Sequence, residues 1–403
     1  MTAPAQQPAS RIDVIDALRG SALAGILLLH AIAHWSLPRY PTDTPAGFAA
    51  IDRLTMGAGT FLFEGKAFAI FALMFGVSFS LILETWSRRG VSFGGRFAWR
   101  LALLAMLGYL HGIIYSGEVL MTLAVLGLPL LLVHRLGNRA LAVLAVLSLL
   151  QVPSLWEVAR HLADSGYRPV PPPPRVDYGA LFEAYAHGSF ADVCAVNAVR
   201  GQVDRLWWAI ESGRYLQMFG LFVCGLLAGR QRLFEGNVVG HAWARRCAWA
   251  GLGAFALLFL VRRELGRLGL QGEALRHTRE LLFSYRNLAQ VAVWVGGFQL
   301  LYRSEAARRV LRLLAPYGRM SLTSYVAQAL VGVPLFYGYG LALYRHFGPF
   351  QSLLAGMVIL LAQGVFAHVW LRRCYYGPLE WLWRSGTFLD FSTPLLRRTS
   401  RRE

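Results

Sequence analysis

Charged residues are scarce in this chain. They make up 15% of its 403 residues, whereas a soluble domain carries about 25%. Hydrophobic residues make up 56%, and a soluble protein of this composition would expose more apolar surface than water tolerates. The composition therefore excludes an ordinary soluble protein and predicts one that is embedded in a lipid bilayer.

Several common kinds of site are also missing. The four cysteines are far apart and form no CxxC pair, which argues against a disulfide scaffold and a zinc site. His30 and His34 lack the intervening glutamate of the HExxH zinc motif, and the sequence contains no GxSxG motif and no phosphate-binding loop. We therefore expect no bound metal.

Acidic residues are few, and lysine is almost absent. The 40 Lys and Arg outnumber the 22 Asp and Glu, the net charge is +18, and Lys66 is the one lysine. A basic excess can indicate nucleic-acid binding, but here no basic stripe lies on a polar globular segment. The arginines lie instead in every second loop between apolar segments, as the positive-inside rule requires of cytoplasmic loops. We expect a lipid bilayer as partner and no nucleic acid.

Ten segments resemble membrane helices, since a spanning helix needs ~20 mostly apolar residues. Their apolar character is continuous, which favours helices over strands. The sequence predicts an all-α, polytopic membrane helix bundle that forms a single domain over residues 1–403. The predicted spans are 14–36, 61–86, 97–116, 119–134, 139–156, 213–229, 243–261, 281–302, 321–343 and 351–371.

The distribution of arginines also predicts an orientation. The arginine-rich loops, the N-terminus and a basic tail at 373–403 fall on one side, so both termini are predicted to be cytoplasmic. The segment 157–212 mixes acidic and basic residues around four consecutive prolines, and it is predicted to be an extracytoplasmic loop with short amphipathic helices. The arginines of loop 262–280 fit this topology poorly. The expected location is a bacterial inner membrane.

Polar residues inside a bilayer are costly, and each is therefore a candidate for function. In the predicted topology they fall into two sets, one at each side of the membrane. The inner set consists of Asp13, Asp16, Arg19, Arg319, Glu380 and Arg384. The outer set consists of His30, His34, Glu64, Lys66, His111, Glu118, Arg214 and Arg286.

Each set has a structural and a functional interpretation. Asp16 and Arg19 are three residues apart and share a helix face, so they either fix the topology or place Arg19 to bind phosphate. In the outer set, a histidine near a carboxylate is the minimal arrangement for general base catalysis. His111 and Glu118 fit it, with His30 and His34 as other possible bases. Alternatively, each histidine is hydrogen-bonded at an interface.

Five sequence blocks resemble the YeiB-like membrane proteins (domain of unknown function 418). The blocks cover nearly the whole chain, and the last two are the most specific. They are 11–20 (RIDVIDALRG) with 24–28, 66–76 (KAFAIFALMFG), 108–112 (GYLHG) with 116–120, 318–325 (GRMSLTSY) with Gln328 and 335–340, and 377–384 (GPLEWLWR). Two positions depart from the family pattern, which usually has Asn in place of His30 and Asp in place of Glu118.

This family is similar in architecture to membrane acyltransferases that include heparan-α-glucosaminide N-acetyltransferase, and Asp16-Ala-Leu-Arg19-Gly20 is the shared feature. The resemblance implies acyl transfer from a cytoplasmic acyl-CoA donor to an extracytoplasmic sugar or lipid acceptor. The alternatives are a transporter or channel, in which the same groups relay protons, and a structural membrane component. The predicted roles are catalysis by His111, Glu118, His30 and His34, substrate binding by Glu64, Lys66, Arg214, Arg286, Tyr325 and Gln328, and donor binding by Asp16, Arg19 and Arg319.

Overall fold

The computed structural model describes residues 12–42, 44–164, 167, 178–268 and 270–397. Within these ranges the chain is helical, and one isolated bridge, between Cys374 and Leu396, is its sole β pairing. The prediction of an all-α fold is confirmed. The helices are α1 (Asp13–Ile32), α2 (Ala46–Leu62), α3 (Ala67–Arg88), α4 (Gly94–Ile114), α5 (Leu120–Val133), α6 (Asn138–Leu149), α7 (Val152–Ala163), α8 (Tyr178–His187), α9 (Phe190–Val196), α10 (Gln202–Glu211), α11 (Arg214–Arg230), α12 (Val238–Glu264), α13 (Gly272–Leu301), α14 (Glu305–Leu311), α15 (Ala315–Arg319), α16 (Ser321–Phe336), α17 (Pro349–Arg373) and α18 (Pro378–Phe388).

Apolar helices long enough to cross a bilayer indicate a membrane protein. Among the described residues, five helical stretches have the required length and composition, and the bent pair α6–α7 would make a sixth. The ten predicted spans are therefore not all reproduced by this criterion. Several of them coincide with shorter helices, such as α5 and α16, which are apolar but have fewer than 18 residues.

Three predicted boundaries are wrong for local reasons. Residues 46–62 form α2, which lies almost wholly outside the predicted spans, and Asp52 and Arg53 interrupt its apolar run. The predicted span 139–156 is two helices bent by 44°, since Gln151 has a left-handed φ of 50° and a proline follows in the first turn of α7. The predicted span 321–343 ends at Phe336.

The ends of two other predicted segments also differ. The predicted span 281–302 belongs to a longer helix, α13, which begins at Gly272. The predicted tail 373–403 includes α18, which packs against α4: Trp383 Nε1 donates to the Arg100 carbonyl over 2.9 Å, and Trp99 Nε1 donates to the Gly386 carbonyl over 3.0 Å. The predicted polyproline stretch lies outside the described residues.

Glycines allow the helix backbones of the bundle to touch. A Cβ on Gly76 of α3 would collide with the carbonyl of Phe222, and one on Gly225 of α11 would collide with the carbonyl of Leu73. Gly20 of α1 and Gly318 of α15 pack in the same way, Gly318 against the carbonyl of Asp16. Close approach at small residues is a usual way to hold membrane helices together.

Most arginine-rich connections lie at one end of the bundle, which we call the Asp13 end. Arg312 pairs with Asp13 over 3.2 Å, and Arg232 pairs with Glu84 at the end of α3 over 2.8 Å. Arg230 donates to the Leu136 carbonyl between α5 and α6 over 2.9 Å. The other end of the 20-residue α1, which we call the His30 end, is roughly 30 Å away.

Candidate functional site

A cavity of about 380 Å³ opens near the Asp13 end. Four arginines, Arg19, Arg100, Arg319 and Arg384, line it together with Glu380. The remainder of its wall is largely apolar and includes Leu120 and Leu123 at the start of α5. The apolar wall also includes Phe71, Phe75, Phe97 and Leu104. The cavity is therefore amphipathic, with a strongly basic part and a long apolar part.

Glu380 does not neutralise these arginines. Its carboxylate accepts hydrogen bonds from the backbone N–H groups of Leu322, over 2.7 Å, and Thr323, over 3.1 Å, and from the Thr323 hydroxyl over 2.6 Å. It thus caps the N-terminus of α16, and burial raises its pKa in spite of these bonds. The cavity retains an excess of positive charge.

Two of the arginines are held by specific neighbours, and one of these neighbours, Asp16, is a carboxylate. Arg19 donates to the Ser78 hydroxyl and pairs with Asp16 over 3.4 Å. The Arg100 guanidinium stacks on the Trp383 ring, 3.5 Å from its centroid, and donates to Thr387 over 3.4 Å. Aromatic stacking of this kind orients a guanidinium while retaining its charge.

The structure therefore brings together Arg19 and Arg319, which the sequence analysis assigned to a donor site, and places Asp16 beside Arg19. It adds Arg100 and Arg384 to the same cavity. Sequence reasoning placed Arg100 in a basic loop, although it falls inside the predicted span 97–116. A charge within a predicted span was the signal that could have found it.

At the His30 end, the buried side chains of His111 and Gln328 and the partly buried side chain of His30 lie among aromatic rings. His111 is 4% exposed, and its ring lies 5.2 Å from that of Tyr325 and 6.2 Å from that of Tyr115. His30 packs edge-on against Tyr115 at 5.1 Å. In the described part of the chain, neither ring nitrogen of His111, nor Nδ1 of His30, nor either amide atom of Gln328 has a hydrogen-bond partner. Buried polar atoms without partners are uncommon and call for an explanation.

Glu118 lies close by but points to a different partner. Its carboxylate accepts from the backbone N–H groups of Leu120 and Met121, the first turn of α5, and pairs with Arg205 over 3.1 Å. Burial raises its pKa to about 7, although Arg205 acts to lower it. The direct hydrogen bond to His111 that the sequence allowed is not formed. Sequence reasoning missed Arg205, which lies in the long segment 157–212.

His34 is separate from this group. Nδ1 lies 2.8 Å from the Arg39 carbonyl and Nε2 lies 2.8 Å from the Ser352 hydroxyl, so both nitrogens are occupied. The ring stacks on Phe336 at 4.8 Å. This geometry is that of a structural histidine linking the end of α1 to α16 and α17.

A second polar group at the His30 end surrounds the break between α2 and α3. It contains Lys66, Arg214 and Arg286 with one carboxylate, Glu64, all four of which belong to the predicted outer set. Lys66 is 2% exposed and donates to the Thr60 carbonyl over 3.1 Å. Asn287, which sequence reasoning missed, is fully buried.

Comparisons with known proteins give one family model and several relatives. Residues 228–390 match the model of a family described as "Protein of unknown function (DUF418)". This chain is therefore similar to the YeiB-like DUF418 proteins, as the sequence blocks indicated. It is similar to "Uncharacterized protein YxaH" of Bacillus subtilis (28% identity, covering 96% of this chain and 97% of the relative) and to "Uncharacterized protein YeiB" of Escherichia coli (27%, covering 96% and 98%).

A third relative, "Uncharacterized 39.9 kDa protein in amylase 3'region" of Bacillus acidopullulyticus, is 26% identical over 94% of both chains. The matched DUF418 region carries one wall of the cavity, with Arg319, Glu380 and Arg384, and also Tyr325 and Gln328 of the histidine group. The relatives extend over both groups at the His30 end, because they cover nearly the whole chain.

Proposed function

We propose that the chain is an acyltransferase of the bacterial inner membrane, with about ten membrane-embedded helices and both termini in the cytoplasm. It moves an acyl group from a cytoplasmic acyl-CoA donor to a sugar or lipid acceptor on the other side. The concentration of arginine-rich connections at the Asp13 end supports this orientation, because positive loops remain in the cytoplasm. The bacterial origin of the relatives supports the location.

The amphipathic cavity is the observation that carries the proposal. An acyl-CoA has a polyanionic phosphate head and a long uncharged arm that ends in the thioester. Guanidinium groups suit phosphates, so the basic part of the cavity would bind the head and the apolar part would bind the arm. Arg100 and His111 are eleven residues apart on α4, roughly 16 Å along the helix. The arm would carry the thioester towards His111.

His111 is the proposed general base. The acceptor hydroxyl or amine attacks the thioester carbonyl carbon, its proton passes to an unoccupied ring nitrogen of His111, and the carbon–sulfur bond breaks. The departing thiolate then takes that proton from the imidazolium. The buried position of His111 excludes water, which would otherwise hydrolyse the thioester.

Donor binding by the purified protein in detergent tests the cavity. Arg19→Ala and Arg319→Ala should each weaken acetyl-CoA binding about tenfold to a hundredfold, since a hydrogen bond to a charged group contributes about 1.5–3 kcal/mol. Arg309→Ala is the matched control, because Arg309 lies at the same end but pairs with Glu305 on the surface. Equal affinity in all folded variants would remove the donor from this cavity.

The unpartnered polar atoms of His111, Gln328 and His30 Nδ1 also fit a proton relay, which favours a transporter as the second candidate. Vesicles loaded with candidate acceptors and supplied with labelled acyl-CoA outside separate the two functions. Label that appears covalently on the acceptor supports the enzyme. Passage of a solute with no covalent label supports the transporter.

A further inference from the structure

The group around the break between α2 and α3 carries more positive charge than the protein itself balances. The charges of Arg214, Arg286 and Glu64 all act on the buried ammonium group of Lys66. In the described part of the chain, none of the three cations has a carboxylate within ion-pairing distance. Glu64 likewise has no cation within that distance. Within this group, three positive charges and one negative charge leave an excess of two, and the exposed Arg262 adds a further positive charge that acts on Arg286.

The backbone at the break is built for close approach. Gly65 has a φ of 76°, and a Cβ there would collide with the Asn287 amide nitrogen and lie 3.5 Å from Nη1 of Arg214. An amide donor of α13 and a guanidinium of α11 therefore converge over the bare Cα of Gly65. Neither amide atom of Asn287 has a hydrogen-bond partner among the described residues, although the side chain is fully buried.

One helix N-terminus adds to the positive potential. α11 begins at Arg214 and presents a partial positive charge and free N–H groups at this end. α3 contributes little, because α2 ends at Leu62 on the other side of the break and the Ala67 N–H donates to the Phe63 carbonyl. Since like charges repel most strongly away from bulk water, this arrangement is stable where an anion completes it.

We propose that Lys66, Arg214, Arg286 and Asn287 bind a phosphate ester group. A phosphate ester of the monoester type carries about −1.5 to −2 charges at neutral pH, which matches the excess of two, whereas a carboxylate carries only one. The assignment of this phosphate to the acceptor rests on the proposed function. Arg214 lies beside Tyr215 in the first turn of α11, and Tyr215 contacts Thr122 near Glu118. The phosphate would thus hold the acceptor at the end of the bundle where His111 lies.

Equilibrium dialysis of the purified full-length protein with labelled glycerol 3-phosphate tests this site without any transfer reaction. Binding is expected, and unlabelled glycerol, the uncharged counterpart, should not compete. Arg286→Gln and Asn287→Ala should each weaken it about tenfold to a hundredfold. Arg263→Ala should leave it unchanged, because Arg263 is an exposed arginine at the same end. Melting curves show which variants are folded. If Arg286→Gln does not fold, Asn287→Ala still tests the site, because it retains all three positive charges.

The source of the phosphate is decided by competition with phosphatidic acid in detergent. Competition assigns the site to a lipid-borne phosphate, and its absence alongside glycerol 3-phosphate binding assigns it to a water-soluble one. The proposal is overturned if neither compound binds to the folded protein. It is also overturned if Asn287→Ala and Arg286→Gln both bind glycerol 3-phosphate as tightly as the wild type does. Acetyl-CoA binding is measured in parallel, so loss of the donor site is seen separately from loss of this one.

Discussion

The buried carboxylate of Glu118 predicts a pH dependence of folding stability. Its side chain is fully buried, and burial raises its pKa from 4.5 to about 7. Because the folded state holds this proton more tightly than the unfolded state, the free energy of unfolding falls as the pH rises through this window. A difference of roughly 2.5 pKa units at 1.36 kcal/mol per unit amounts to about 3 kcal/mol. That stability is fully present below pH 4.5 and absent above about pH 7.

Glu118→Gln should remove this contribution, because glutamine does not titrate. Thermal unfolding in detergent, followed by tryptophan fluorescence between about pH 5 and pH 8, compares the variant with the wild type. The wild type should lose several degrees of melting temperature that the variant retains. Glu305→Gln removes an exposed carboxylate and should leave the wild-type slope. Parallel curves for the wild type and Glu118→Gln would show that water reaches the carboxylate.

Three further predictions concern catalysis, the helix break and topology. His111→Gln should lower acyl transfer about 10²–10⁴-fold with donor binding unchanged, and a near-normal rate in a transfer assay would make His111 a packing residue. Gly65→Ala should lower the free energy of unfolding, measured by chemical unfolding, by more than the about 1–3 kcal/mol of a strained backbone alone. Gly90→Ala is the control and should cost less, since Gly90 also has a positive φ but has open space around it. In a cysteine-free chain, Ser304→Cys should react with impermeant maleimide only from the cytoplasm and Ser189→Cys only from outside; the opposite pattern inverts the topology.

The sequence was most informative about which helices exist and which residues share an end of the bundle. Continuous apolar runs found most of the long helices, because they depend on the bilayer rather than on tertiary detail, but they did not find α2. The predicted topology also placed Arg19 with Arg319, and Lys66 with Arg214 and Arg286.

What the sequence could not provide is the partner of each side chain. Glu118 follows His111 by seven residues, which suggested that the two interact, yet it caps α5 and pairs with Arg205, 87 residues farther along the chain. Such a contact depends on how α10 packs, and no local spacing encodes it. The break at Gly65 also lies against a distant part of the chain, since Asn287 of α13 approaches the glycine closely.

The glycine contacts explain why the charged groups cannot avoid one another. Gly20 and Gly318 hold α1 and α15 backbone to backbone, and each is the direct neighbour in sequence of an arginine in the cavity, Arg19 or Arg319. Packing that tight fixes two positive charges on adjacent helices of one cavity. A structural role would be served better by an apolar pair, since buried charge is rarely the more stable choice. Two guanidinium groups held on adjacent helices of one cavity suit a donor phosphate, which is the role that we propose for them.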